Sequence, residues 1–480
     1  MKRKGIVIAL SVVALGLAAF GITRLNRWQT MKERLFRKDE PVKQEFFRGK
    51  IYDRNGVVLA DNAVVYDLHL DCVANRHDST MFAQLDAEWM ANAEQLAAGL
   101  AEIVGERSEA EYLRILRDGR RCQKRYLRLG RNLSEEQMSE LRKLPILKES
   151  MYTGGRIEEK RLKRVYPYDG LARRTLGYVR YLDDDSIQRI VGLEGNFDEK
   201  LKEADMHTTL DLGMQQIADS LLRQTFEEHP EVERGCIALM EVRTGALRTV
   251  VNLIRSDSYG HPVVEYFNNL IGVSYEPGKV AAPITSGLDT TLLKMSLENR
   301  TIGTGRKFDV LGLREIVVPD FKNDPNPEKT MEHIHKGFSV MMTPLHVLNF
   351  YNTIANGCVQ RPPYLVESFS RDGRLVELVE HDSYDMDEGI ENFELNMQVM
   401  ENTKVPVFYK YGTSRVLHPY TRKYRDEKGN EAYNATCVGY FPADKPQYSF
   451  ICYVQTVAGN RSFYGSFVRD LAKDLVNSLN

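Results

Sequence analysis

Side chains able to do chemistry are plentiful in this 480-residue chain, but most spacings that would make them work together are missing. No serine stands three residues before any lysine, so the Ser-x-x-Lys spacing that pairs a hydroxyl nucleophile with an amine base is missing. The nearest imitations are Thr291 with Lys294 and Thr304 with Lys307. Gly272-Val273-Ser274-Tyr275-Glu276 begins like a nucleophile elbow and lacks the closing glycine. His333 and His335 form an HxH pair without a third ligand at helical spacing, so no metal is expected there. The six cysteines, at 72, 122, 236, 358, 437 and 452, have no CxxC or other metal-ligand spacing. Cys437 and Cys452 flank one hairpin and are expected as unpaired core thiols, since free cysteine packs as a small hydrophobe. There is no recognised phosphate-binding glycine loop, and no cofactor is expected.

The elements around these residues fall into several stretches. After Lys2, Arg3 and Lys4 comes an uncharged, mostly apolar run from Gly5 to Thr23. As a helix it would cover about 28 Å, close to the thickness of a bilayer's hydrocarbon core. The rival reading is a cleaved signal peptide, but no clean small-x-small site ends the run. The expectation is an uncleaved single-pass anchor in the plasma membrane, with the basic tip cytoplasmic and the rest outside, although Arg24 and Arg27 oppose that orientation. Residues 24–45 read as a stem. Ile51 to Ala60 reads as a hairpin about Asn55-Gly56. Residues 80–150 are helical in pattern, with a capping box at Ser134-Glu135-Glu136-Gln137. Between Arg114 and Arg131, eight Arg or Lys residues face one Asp; this reads as a solvated helix face, with a partner surface as the alternative.

Beyond His207, Thr208-Thr209-Leu210-Asp211 leads into an amphipathic helix, followed by strands Cys236 to Val242 and Ala246 to Val251. A second hairpin, Cys437 to Phe441 and Ser449 to Val454, precedes a terminal helix at about 467–479. Strands at both ends with helices between predict an α+β domain, an antiparallel sheet flanked by helices. A net charge of −2 argues against nucleic acid as a partner, and 42% hydrophobic with 28% charged residues suits a soluble body.

These segments, in this order, resemble a class B penicillin-binding protein. The stretch RGKIYDRNGVVLA (48–60) is similar to that family's opening signature outside the membrane. Arg164-Val165-Tyr166-Pro167, Leu176-Gly177-Tyr178-Val179 and Gly192-Leu193-Glu194 are similar to markers of its pedestal domain. TTLDLGMQQIADSLL (208–222), GFSVMMTPLHVLNFYNTIANG (337–357) and VGYFPADKPQYSF (438–450) resemble parts of its transpeptidase domain. The resemblance implies an anchor at 1–23, a stem at 24–45, an elongated pedestal (dimerisation-like) domain at 46–205 and a transpeptidase-like domain at 206–480. It also implies work in peptidoglycan synthesis, beside membrane proteins such as a polymerase or an active transpeptidase, with peptidoglycan as a further partner and the bilayer held through residues 5–23.

The family's chemistry is acyl transfer to a serine, carried by a Ser-x-x-Lys pair, a Ser-x-Asn element and a Lys-Thr/Ser-Gly strand. Tyr275-Glu276-Pro277-Gly278 and Pro283-Ile284-Thr285 are similar to the flanks of the first motif. Between them stand Lys279 at the position of the serine and Ala282 at that of the lysine. Residues 286–336 offer no Ser-x-Asn. The third motif remains in part as a relict substrate-binding strand, Lys410-Tyr411-Gly412-Thr413, where Tyr411 replaces the small hydroxyl residue and is expected to obstruct the substrate. No catalytic residue is therefore expected, and the resemblance points to a non-catalytic scaffold or regulator. An active D,D-transpeptidase using other residues is the alternative.

Overall fold

The computed structural model describes residues 48–74, 82–149, 153–168, 170–181, 187–256, 263–303, 308–381, 383–385, 396–417, 423–425, 429, 431–457 and 461–480. The apolar run at 5–23 and the stem at 24–45 lie outside the described residues. Among those described, no helix is long and apolar enough to cross a membrane. Packing divides the chain into two compact units, one of residues 63–163 and one of residues 48–62 and 164–480. Residues 164–205, expected within the pedestal domain, pack in the second compact unit.

In the first unit, helices Phe82–Ile103 and Glu109–Arg121 cover one face of strand Leu127–Leu133 and of residues 63–70 of strand Val58–Leu70. Leu68, Leu70, Leu96, Leu100, Leu116 and Leu129 are fully buried between them. The capping box expected at Ser134 is present, and Ser108 makes a second one. Residues 127–133 were expected as helix and form a strand instead. Leu127 and Leu129 alternate with exposed Arg128, a period of two hidden in the run of arginines.

That basic run is only partly a solvated face. Arg114, Arg117 and Arg121 are exposed, but Arg120 is 1% exposed. Its Nε donates to Asp86 Oδ1 at 2.9 Å, Nη1 donates to the Cys72 carbonyl, and the guanidinium lies 5.1 Å over the Trp89 ring.

The second unit is built on a seven-stranded antiparallel sheet. Its order is Val263–Val264, Leu247–Arg255, Val232–Glu241, Tyr448–Thr456, Tyr433–Phe441, Phe408–Arg415 and Gln398–Val399. The expected strands Cys236 to Val242 and Ala246 to Val251, and the hairpin of Cys437 to Phe441 with Ser449 to Val454, are in it in antiparallel register. The strands are buried on both faces because helices cover each. On one side, Leu212–Glu228 and the terminal helix Arg461–Leu479 meet the sheet through Leu222, Phe226, Leu471, Leu475 and Cys437. On the other, Pro344–Ala355 and the segment 278–285 pack through Val280, Ile284, Phe350, Tyr351 and Ile451. The α+β expectation of an antiparallel sheet flanked by helices is met. Cys437 and Cys452 stand directly opposite one another in the hairpin, buried and unbonded.

Several of the family-like segments meet in one buried ion cluster of this unit. Glu194, 0% exposed, accepts from Arg48 Nε on one oxygen and from Arg164 Nε at 2.7 Å on the other. Tyr166 donates its hydroxyl to Glu194 Oε1 at 3.2 Å, and Arg48 also reaches Asp198. Burial, with the Glu194 charge adding to it, pushes the Tyr166 phenol up.

Candidate functional site

The segment 275–285 is fixed at both ends. Tyr275 exchanges two backbone hydrogen bonds with Met342, at 3.1 and 3.0 Å, and its hydroxyl pairs with Thr436 Oγ1 at 2.8 Å. Thr285 Oγ1 donates to the Ile334 carbonyl at 2.6 Å, and Tyr351 donates to the Val280 carbonyl at 2.9 Å. Between these ties Gly278 turns at φ +63°, and Gly278–Val280 forms one 3-10 turn before the short helix Ala282–Thr285. Gly337, at φ +84°, lies so close that a Cβ on it would fall 1.9 Å from the Gly278 carbonyl oxygen.

The strand Phe408–Arg415 runs against this turn. A Cβ on Gly412 would meet the Lys279 and Val280 nitrogens at 3.2 and 3.3 Å, so the two backbones touch. Lys279 is exposed at the apex and Ala282 is half-buried. Lys410 is half-buried, and its amine is pushed down first by desolvation and then by the positive charge of Lys279. The residues expected to mark the relict site are thus together: Lys279, Ala282, Lys410 and Gly412 border one place.

Tyr411 lies on the other face of this strand. The pairing Lys410↔Val438, Tyr411↔Cys437 and Gly412↔Thr436 puts Lys410 and Gly412 on the face of the turn, and Tyr411 on the face of the terminal helix. There its ring stacks on Tyr409 with centroids 6.2 Å apart. Strand alternation alone dictates this, so the phenol stands beside the strand and does not intervene between Lys279 and Lys410. Thr413 shares its face.

Glu276, in the flank of the first motif, is a further residue of the site. It is 7% exposed; Oε1 accepts from the Ser339 N–H at 3.0 Å and Oε2 from the Tyr424 hydroxyl at 3.2 Å. Burial pushes its carboxyl up, opposed by these bonds and by the charges of Arg415 and His333. Ser339 holds φ +61°, and Ser414 donates to the Glu276 carbonyl while accepting from Asn434 Nδ2 at 3.3 Å. The available signal was a carboxylate in an apolar run directly before Pro277-Gly278. His333 and His335 do not converge, since His335 Nε2 contacts the Leu288 carbonyl at 2.9 Å. Among the described residues no cluster could hold a metal ion. Ser274, in the elbow-like segment, has a buried hydroxyl without a partner.

Chemically, the turn offers a lysine amine and a methyl group beside a second amine. Residue 279 supplies no hydroxyl and residue 282 no amine or other proton acceptor, the two groups through which a Ser-x-x-Lys pair is acylated.

An antiparallel sheet between two helical layers, with the Lys279 turn laid against the strand Phe408–Arg415, makes this an α+β domain. The chain matches the Penicillin-binding Protein dimerisation domain over residues 44–206 and the Penicillin binding protein transpeptidase domain over residues 312–476. The second match includes the Lys410 strand and begins after the Lys279 turn. The chain is 24% identical over 287 residues to the peptidoglycan D,D-transpeptidase MrdA of Acinetobacter baumannii, a stretch that is 52% of this chain and 38% of that protein. A peptidoglycan synthetase from Bifidobacterium adolescentis superposes with TM-score 0.57 at 16% identity, covering 90% of this chain and 94% of that one. Penicillin Binding Protein 2X from Streptococcus thermophilus gives 0.60 at 15% identity, over 89% and 78%. At these identities the likeness to both structures is one of fold. The chain belongs to the class B penicillin-binding proteins.

Proposed function

We propose that this chain is a membrane-anchored penicillin-binding-protein homologue of peptidoglycan synthesis that acts by binding, as a scaffold or regulator, and performs no transpeptidation. The observation that carries the reading is the Lys279–Ala282 turn beside Lys410. Attack by a serine needs a neighbouring group to take its proton, and residue 282 is a methyl. An amine at 279 would form an amide on acylation, which an ordinary deacylation step does not release. Such a chain would sit in the plasma membrane by residues 5–23, with its bulk outside, and would associate with a cell-wall polymerase or an active transpeptidase.

Labelling of the full chain with a fluorescent penicillin tests this, and no covalent adduct is expected. Loss of nucleophile and base costs on the order of a millionfold in a serine protease. Stoichiometric acylation mapped by mass spectrometry to one residue, with Ser339 or Ser414 the first to inspect, would establish the active-enzyme alternative. Co-purification from solubilised membranes identifies the partner.

A further inference from the structure

We propose that a second cleft in the transpeptidase-like domain, floored by His346, binds a small apolar ligand through a neutral carbonyl oxygen. The cleft is open to solvent on one side, has a volume of about 500 Å³ and lies between helix Leu293–Arg300, residues 308–316 and the start of helix Pro344–Ala355. That is within the range of roughly 300–1,000 Å³ usual for small-molecule sites. Ile302, Phe308, Val310 and Ile316 give it apolar walls, each less than 7% exposed, and Leu311 stands on its rim at 73% exposure.

The polar feature of the floor is specific. His346 is 5% exposed and lines the cleft. Its Nδ1 faces the Thr343 N–H at 3.3 Å and the Thr343 hydroxyl at 2.7 Å, closing the helix's capping box. A backbone N–H can only donate, so Nδ1 is an acceptor and, by that network, the proton of the neutral ring is on Nε2. Burial holds the imidazole down at about 3, so it stays neutral through the physiological range. Among the described residues no acceptor is paired with Nε2. A glutamine at this position would complete the same cap. The ring additionally provides one N–H donor at the base of an apolar cleft.

The rim determines the kind of acceptor. Lys294 is already held by Glu315 at 2.7 Å and by Glu298 at 3.7 Å, and Arg314 is the other cation lining the cleft. Two cations and two anions leave no net charge to draw in an ion. An uncharged donor below a charge-balanced rim fits an amide or similar carbonyl on an apolar body, in preference to a carboxylate.

The test uses the full chain in lipid nanodiscs and an eight-carbon primary amide bearing a diazirine near its tail. Saturable photolabelling is expected on peptides holding residues 302–316 or 344–355, suppressed by unlabelled octanamide. The variant H346L should weaken labelling about tenfold and H346Q should stay within about twofold of wild type. L311D changes only the exposed rim and should weaken labelling several-fold, which keeps the test decisive if H346L misfolds. Labelling that does not saturate, that is unchanged in both H346L and L311D, or that the matching octanoate probe equals, overturns the proposal. None of these outcomes depends on whether the Lys279 turn is catalytic.

Discussion

Removing one carboxylate should open a defined part of the second unit. Glu194→Ala leaves the Arg164 and Arg48 guanidiniums buried without their shared partner, the Arg164 side chain being 0% exposed and that of Arg48 8%. Breaking a buried pair from one side costs about 3–5 kcal/mol, because the remaining charge is uncompensated. Asp198 still faces Arg48, so the loss should fall mainly on Arg164 and on the Tyr166 hydroxyl, near the lower figure. A chain of two units does not unfold as one two-state system, so a single melting temperature would mislead. Hydrogen exchange resolves the effect locally: at about 1.4 kcal/mol per factor of ten, peptides over residues 48–62 and 192–201 should exchange at least about a hundredfold faster. Breaking the exposed Lys200–Glu377 pair with Glu377→Ala is the control and should change nothing measurable. Less than a threefold change in Glu194→Ala would refute the claim that this cluster holds the family-like segments together.

Other expectations are equally direct. Glu265 accepts the N–H groups of Arg173 and Arg174 at 3.0 and 3.2 Å, yet burial pushes its carboxyl up to about 8. Between about pH 5 and 8 the folded chain then keeps a proton that the unfolded chain has released, so stability should fall as pH rises, by up to about 1.4 kcal/mol per unit, and Glu265→Gln should flatten that slope in denaturant titrations. Arg120→Ala should destabilise the first unit by about 2–3 kcal/mol in urea unfolding, while Arg121→Glu, with its side chain 77% exposed, should stay within about 0.5 kcal/mol. Tests of a basic partner surface therefore belong at Arg121, Lys124 and Arg125. Gly337→Ala should loosen the Lys279 turn, seen as faster exchange at 275–285, because the new Cβ meets the Gly278 carbonyl in a left-handed backbone. The double change Lys279→Ser with Ala282→Lys should label weakly at most with a fluorescent penicillin, since the opposite Ser-x-Asn wall is still missing.

Elements whose signal is local were legible in the sequence. The two hairpins of the main sheet, the Ser134 capping box and the helix opened by Asp211 each depend on neighbours within a few residues, and each is where the pattern puts it. The meeting of Lys279 with the Lys410 strand followed from family-like order, since more than 120 residues separate them. What stayed hidden were consequences of tertiary burial. Arg120 looks like its exposed neighbours Arg117 and Arg121 until Asp86 and the Cys72 carbonyl are seen to claim it. Glu276 becomes a site residue only when Ser339 and Tyr424 arrive from distant segments. Tyr411 was assigned by motif position, whereas its ring direction is set by strand parity against Cys437.

The cysteines make the chain a reporter of its own opening. Cys122 is exposed and Cys358 half-buried, whereas Cys72 is buried in the first unit and Cys236, Cys437 and Cys452 in the second. Burial pushes the thiols of all four buried residues up, so in the folded chain they are both shielded and poorly ionised. A brief pulse of an alkylating agent would therefore mark Cys122 at once and each buried thiol only as its own layer comes apart. With Cys122 and Cys358 replaced by serine, the mass added at Cys72 against that added at Cys437 and Cys452 would time the opening of the two units separately, within one chain and without an attached dye.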